Sequence, residues 1–124
     1  MASVNKAVLI GHVGRVDIKE VGTGKIANFS LATKEGYKDK SGEWQDETTW
    51  HNVVAYGNLA TVIERYVKKG SILYAEGRIR RRKYNDRDGN EKEIVEVVAQ
   101  TVQILDQKQT ANNTRNTPAE ELGF

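Results

Sequence analysis

The chain has 124 residues, enough for one domain with a modest core, and its 38% hydrophobic and 29% charged residues are typical of a globular protein. It contains no cysteine, which excludes disulfides, thiolate metal sites and cysteine nucleophiles, and no apolar run approaches the roughly 20 residues that span a bilayer. The net charge is only +2, so a charge-based function must depend on where the charges lie.

The first half of the chain predicts three strands. Residues 4–13 are rich in apolar side chains and have neither a basic leader nor a cleavage site, so we interpret them as a strand and expect an intracellular protein. Residues 25–33 alternate between apolar and polar side chains and predict a second strand. Residues 35–47 predict a polar loop that projects from a hairpin, and residues 48–56 predict a third strand.

The second half predicts a helix and two more strands. In GNLATVIERYVKKG, apolar residues recur at the helical period, Asn58 can cap the start and Gly70 can close the end. This period also predicts that Tyr66 packs in the core. Residues 71–84 and 91–105 then predict two long strands around a turn. This element order is that of an all-β, five-stranded Greek-key barrel of the OB type, with one α-helix between strands 3 and 4.

The composition divides the chain into a domain and a tail. Residues 1–106 hold nearly all the apolar side chains and form the predicted domain. Residues 107–124 are polar and lack an apolar period, so they cannot bury enough surface to offset chain entropy. We therefore predict a disordered tail.

The densest positive charge lies in GRIRRRKYNDRDGN, at residues 77–90. On a strand, three arginines and a tyrosine of this segment share one face: Arg78, Arg80, Arg82 and Tyr84. Such a row repels itself unless anions lie along it, and these can be acids of the next strand, such as Glu93 and Glu96, or phosphates. Both interpretations stay open, although the neighbouring ring and turn favour single-stranded nucleic acid.

Aromatic rings elsewhere fit the same interpretation. Trp50 and Tyr56 lie six residues apart on one face of the third strand, and a flat ring can stack on any base. Ordinary cross-strand packing is the alternative for these two rings. Trp44 lies in a polar loop where it is hard to bury, which favours a contact role.

An enzymatic function finds no support in the sequence. His12 and His51 are the only histidines, and neither lies in a metal-ligand spacing or near a serine-triad pattern. The carboxylates are scattered over polar segments. We predict no enzymatic activity, no metal and no cofactor.

Four segments, VNKAVLIGHVG, ANFSLAT, TTWHNVVAYGNLA and YVKKGSILYAEGRIRRRKYNDRDG, resemble the bacterial-type single-stranded DNA-binding proteins in order and spacing. The resemblance covers residues 4–105, and the pattern TxWHxVVxxGxLA is specific. It implies an OB fold and a non-catalytic protein that coats and protects single-stranded DNA during replication, recombination and repair. It also implies a homotetramer with His51 near a subunit interface, located in the bacterial cytoplasm with the nucleoid.

The resemblance also implies site residues. Stacking falls on four aromatic residues: Tyr37, Trp50, Tyr56 and Tyr84. Cationic contacts fall on six residues: Lys6, Lys40, Lys69, Arg80, Arg82 and Lys83. The family often has tryptophan at the positions of Tyr37 and Tyr84, which implies a smaller stacking area here. Trp44 and Arg78 have no family counterpart and are candidates from the sequence pattern alone.

The chain departs from the family in two places. The family usually reads GxDPE after the first strand, whereas this chain reads GRVDIKE without proline. Family members usually end in a long linker and an acidic tip, and here the linker is short and the tip, AEELGF, keeps a reduced form of it: Glu120, Glu121, Leu122 and Phe124. The tip implies contacts with replication and repair proteins, and so short a chain fits a phage or mobile-element member, which would place it in the host cytoplasm.

Two other classes remain open. One is a dimeric OB-fold adaptor for replication restart, which contacts a helicase more than it coats DNA. The other is an RNA-binding OB module. A membrane partner is not expected.

Overall fold

The structure is a computed structural model that describes residues 2–105. It contains five strands and one helix, in the predicted order: β1 (Ala7–Val21), β2 (Gly24–Lys38), β3 (Trp44–Tyr56), α1 (Asn58–Tyr66), β4 (Ile72–Asn85) and β5 (Glu91–Ile104). The strands form a closed barrel in the order β1-β2-β3-β5-β4, and β4 pairs back with β1. The predicted OB-type barrel is therefore confirmed. The predicted tail and its tip residues lie outside the described residues.

The core lies inside the barrel, where one face of each strand is buried. On β2 the buried positions alternate at Ala27, Phe29 and Leu31, as the sequence pattern predicted. Ile63 of α1 is fully buried in the same cluster, so the helix, which follows β3 and precedes β4 in the chain, packs on the core. Within the described part of the chain, no helix is both long and apolar enough to cross a bilayer.

The ends of the helix differ from the prediction. Gly57, with φ +66°, occupies the N-cap position, and no side chain among the described residues caps the helix, so the capping role predicted for Asn58 is wrong. A backbone with positive φ suits glycine and redirects the chain from β3 into the helix. Gly70, with φ +94°, lies in the turn after the helix rather than at its end. Tyr66 is 58% exposed, so its predicted place in the core is also wrong.

The polar loop predicted at residues 35–47 is wrong as well. The strands continue through it from the Lys34–Thr48 pair to the Lys38–Trp44 pair, and only residues 39–43 form a turn. Within residues 2–105 no third strand pairs with this stretch, so residues 34–48 form a two-stranded ribbon, which we call the β2–β3 arm. Polar side chains on both sides of the ribbon hide the alternation that normally marks a strand.

Both long hairpins, β2–β3 and β4–β5, end in the same kind of turn, with the sequences DKSGE and DRDGN. In each, one carboxylate oxygen of the aspartate, Asp39 or Asp86, accepts hydrogen bonds of 2.9–3.0 Å from the backbone N–H groups two and four residues later. The glycine at the fourth position has φ +84° at Gly42 and φ +82° at Gly89. The aspartate and the glycine together determine the shape of both tips.

Candidate nucleic-acid interface

One outer face of the sheet carries most of the predicted site. The even-numbered positions of β3 place Trp50 and Tyr56 on this side. Asn52 of β3 pairs with Glu96 of β5, which pairs with Arg80 of β4, so the three strands present these side chains together. Three rings on this face are 59%, 43% and 43% exposed: Trp50, Tyr56 and Tyr84. They are available to a ligand rather than packed in the core.

A buried carboxylate lies in the middle of the arginine row. The side chain of Glu96 is 2% exposed, and its Oε2 accepts hydrogen bonds from Nε of Arg80 at 2.9 Å and from Nε of Arg82 at 3.1 Å. Nη2 of Arg80 and Nη2 of Arg82 also donate to the same carboxylate. Burial acts to raise the pKa of Glu96, but the bonds from the two arginines outweigh it and the pKa lies below its usual value. Of the two acids that the sequence suggested as cross-strand partners of the arginine row, Glu96 is therefore confirmed as the partner of Arg80 and Arg82.

Tyr56 joins the same network. Nη2 of Arg80 donates a hydrogen bond of 2.8 Å to the Tyr56 hydroxyl oxygen, and the guanidinium carbon lies 5.8 Å from the ring centroid. The bonds to Tyr56 and to Glu96 both raise the pKa of Arg80. The arginine is therefore held between a ring and a carboxylate, with fixed orientation.

A groove of about 650 Å³ is lined by all five strands, and Asn52, Arg82 and Glu96 are its members from this face. Its polar lining includes groups that the sequence prediction missed: Arg15, Lys19, Asn28, Ser30 and Asn52. The amides and the hydroxyl can form hydrogen bonds with the edges of bases. These groups were hard to recognise from the sequence, because Asn28 and Ser30 simply occupy the positions between the buried residues of β2, as polar residues of any half-buried strand do.

Each tryptophan lies over a glycine of another strand, Trp50 over Gly14 of β1 and Trp44 over Gly36 of β2. A Cβ atom added to Gly14 would lie 2.5 Å from Cζ3 of Trp50, and one added to Gly36 would lie 2.3 Å from Cζ2 of Trp44. Trp44 is 65% exposed even so, at the first position of β3. The two rings therefore lie across the sheet with much of their surface open.

Tyr37 does not join these rings. It is exposed, but it pairs with Gln45 at the odd-numbered positions of the arm, whereas Trp44 pairs with Lys38 at the even-numbered ones. Successive side chains of a strand point to opposite sides. Tyr37 and Trp44 therefore lie on opposite sides of the arm.

The predicted cations do not form one row. Lys6 lies 3.1 Å from Glu76, and Lys83 lies 4.0 Å from Glu91. Three others form no ion pair within residues 2–105: Lys40, Lys69 and Arg78. Lys40 lies at the tip of the arm and Lys69 in the turn after α1, so the predicted cations are spread over separate regions.

His51 contacts β2, the strand that pairs with β3. Its Nε2 atom is hydrogen-bonded to Oγ1 of Thr33 at 2.9 Å. It lines a mostly apolar groove of about 360 Å³ together with Leu9, Ile79 and Val95. Among the described residues, no group of three or more His, Cys, Asp or Glu side chains could hold a metal ion.

The sequence profile of the single-strand binding protein family matches residues 4–105. The chain belongs to this family. One curated relative is the single-stranded DNA-binding protein of Rickettsia felis, which is 46% identical over 96% of this chain and 84% of the relative. Another is single-stranded DNA-binding protein 1 of Chlorobaculum tepidum, which is 41% identical over 90% of this chain and 70% of the relative. The family resemblance noted in the sequence is confirmed.

Solved structures of family members share the fold. The SSB of Plasmodium falciparum, in complex with ssDNA, superposes with a TM-score of 0.76 and 37% identity over 86% of this chain and 98% of that chain. A deletion mutant of the single-stranded DNA binding protein from Thermus aquaticus superposes with a TM-score of 0.71 and 27% identity over 85% of this chain and 52% of that one.

Proposed function

We propose that the protein binds single-stranded DNA with little sequence preference and coats and protects it during replication, recombination and repair. It acts by binding, without catalysis. The observation that carries this proposal is the exposure of Trp50, Tyr56 and Tyr84 on the face that also holds Arg80 and Arg82. The family membership and the ssDNA bound to the Plasmodium falciparum relative support it.

Bases stack on the three rings, and each stack contributes about 1–3 kcal/mol whatever the base. Phosphates lie along Arg78, Arg80 and Arg82. Glu96 offsets part of this charge, since its one carboxylate serves two guanidinium groups, and Arg80, Arg82 and Glu96 together carry a net charge of about +1. The surface therefore binds a phosphate chain less tightly than a count of its arginines suggests.

We further propose the more distant contacts that the family resemblance implies. Five residues supply them from outside the central face: Lys6, Tyr37, Lys40, Lys69 and Lys83. The protein is a homotetramer with His51 near a subunit interface, and it works in the cytoplasm with the nucleoid. The tail tip recruits replication and repair proteins.

The direct test uses Trp44→Phe, which leaves Trp50 as the sole tryptophan of the chain. Oligo-dT added at low salt should quench its fluorescence, and unchanged fluorescence would contradict stacking at the central face. In a separate binding assay on the otherwise unaltered protein, Trp50→Ala should weaken binding by about 1–3 kcal/mol.

Two further measurements address the alternative functions. The native mass in solution distinguishes a tetramer from a dimeric adaptor. Competition between oligo-dT and oligo-U distinguishes a DNA-binding from an RNA-binding protein.

A further inference from the structure

We propose that Gly14 and Ser30 are positioning residues for DNA binding, because together they hold the indole of Trp50 in one orientation. We call these two residues the indole seat. They lie at a β-bulge of β1 and act on DNA only through the ring. The inference rests on the proposed function, and it assigns a role in that function to two small residues that have neither an aromatic ring nor a charge.

The first observation is an irregularity in β1. The pairing of β1 with β2 shifts between Val13 and Val16, so two residues of β1 lie opposite Ser30 of β2: Gly14 and Arg15. Such a bulge leaves backbone groups without a partner in the ladder. Here the hydroxyl oxygen of Ser30 accepts a hydrogen bond of 2.9 Å from the backbone N–H of Arg15. The side chain of Ser30 therefore replaces the missing backbone acceptor and stabilises the shape of the bulge.

The second observation is the contact between the bulge and Trp50. A Cβ atom added to Gly14 would lie 2.5 Å from Cζ3 and 3.0 Å from Cη2 of this ring, and 2.6 Å from Oγ of Ser30. The φ of Gly14 is not positive, so the backbone conformation does not require glycine at this position. The space that the indole occupies does require it, because a glycine within a strand allows another group to approach the backbone closely.

The third observation is the path of the indole across the sheet. Trp50 of β3 pairs with Ala32 of β2, whereas Gly14 belongs to β1, so the ring extends across β2 to reach the next strand. Ala32 and Ser30 are small and lie on the same side of β2 as the ring. The ring therefore lies along the surface of the sheet, while 59% of the residue stays exposed. A supported and exposed ring is a suitable platform for a base.

An indole that is held in place before binding lowers the cost of binding DNA. A freely moving ring must be ordered when a base stacks on it, and ordering one mobile side chain at an interface weakens binding roughly two- to tenfold. The indole seat removes this cost, because the ring already lies in one orientation. Gly14 and Ser30 therefore strengthen DNA binding through Trp50.

The test of Gly14 is a double-mutant cycle with Trp50. Gly14→Ala places a methyl group where the indole lies, so it should weaken binding of oligo-dT about two- to tenfold. In the Trp50→Ala background the same change should have no effect on affinity, because the ring that it displaces is gone. Gly24→Ala is the control and should leave the affinity unchanged, since the atom nearest to a Cβ there, the Val21 carbonyl oxygen, is 3.8 Å away.

Ser30 is tested by two variants of nearly equal shape. Ser30→Thr keeps a hydroxyl that can accept the bond from the Arg15 N–H, whereas Ser30→Val has a methyl group in its place. The effect of the additional methyl group is common to both variants. Ser30→Val should bind oligo-dT about threefold more weakly than Ser30→Thr, and this difference should disappear in the Trp50→Ala background. A direct bond from Ser30 to DNA would preserve the difference and overturn the inference.

A spectroscopic measurement follows the ring itself. In the Trp44→Phe background Trp50 is the sole tryptophan, and its fluorescence anisotropy without DNA should be lower in Ser30→Val than in Ser30→Thr, because a ring without its seat rotates more freely. Equal anisotropy and equal affinity in this pair would overturn the inference, also where Gly14→Ala does not fold.

The remaining outcomes separate the inference from the proposed function. Wild-type affinity in folded Gly14→Ala would overturn the inference, and so would a loss of affinity that persists undiminished in the Trp50→Ala background. In both cases the weaker binding of Trp50→Ala would leave the proposed function standing. Wild-type affinity in Trp50→Ala would overturn both the inference and the stacking proposed at this ring.

Discussion

Nε of Arg80 lies 2.9 Å from the buried carboxylate of Glu96, directly under the face on which we propose that DNA lies. Arg82 shares the same carboxylate oxygen. An internal acid therefore holds both guanidinium groups in place and partly neutralises them. The next two predictions follow from this arrangement.

Replacement of Glu96 by glutamine should steepen the salt dependence of ssDNA binding. The substitution keeps the shape of the side chain but removes its charge. The slope of the logarithm of the binding constant against the logarithm of the salt concentration should therefore become steeper by about 0.7, the value for one additional phosphate contact on a single strand. The measurement is the dissociation constant for oligo-dT over a salt series. Glu93→Gln is the control, because it frees Arg81 on the other side of β4. An unchanged slope in folded Glu96→Gln would contradict the prediction.

The stability of the protein should depend on pH through the same residue. Because the pKa of Glu96 is lowered in the folded state, its stabilising effect is present above the unfolded pKa of about 4.3 and is lost as the pH falls through the lower folded value. Glu96→Gln should therefore lower the free energy of unfolding by about 2 kcal/mol at neutral pH. Urea unfolding at pH 7 and pH 3 should show that the difference in free energy of unfolding between the wild type and Glu96→Gln is smaller at pH 3. An equal difference at both pH values would contradict the prediction.

Tyr56 should act through its ring rather than its hydroxyl. Tyr56→Phe removes the acceptor that lies 2.8 Å from Arg80 but keeps the stacking surface, so its affinity for oligo-dT should stay close to that of the wild type. Tyr56→Ala should lose about 1–3 kcal/mol. Titration calorimetry distinguishes the two variants. Equal losses in both would show that the bond to Arg80, and not the ring, matters for binding.

Gly77 should tolerate no side chain, since a Cβ atom there would lie 1.9 Å from the carbonyl oxygen of Val98 on β5. The obstacle is backbone, which cannot rotate away, so Gly77→Ala should lower the free energy of unfolding by about 3 kcal/mol. Gly24→Ala, with its nearest neighbouring atom at 3.8 Å, should have little effect. Denaturant midpoints provide the comparison, and similar midpoints for the two variants would contradict the close approach.

The fold could be predicted because its signals are local. The period of apolar residues marked the helix and the buried face of β2, and the glycine-containing turns marked the hairpins. The family resemblance gave the same architecture independently. The arm at residues 34–48 was missed because its strands are polar on both sides, and only the hydrogen-bonded partner defines them.

The site was predictable in kind but not in arrangement. The sequence by itself determined that Trp50 and Tyr56 share one face of β3 and that the arginine row shares a face of β4 with Tyr84, because side chains two residues apart on a strand share a face. Only the tertiary structure decided that Glu96 pairs with two arginines, that Trp44 lies over Gly36, and that Tyr37 lies on the other side of the arm. These relationships depend on the register between strands, which is established when the barrel closes and brings distant parts of the chain together.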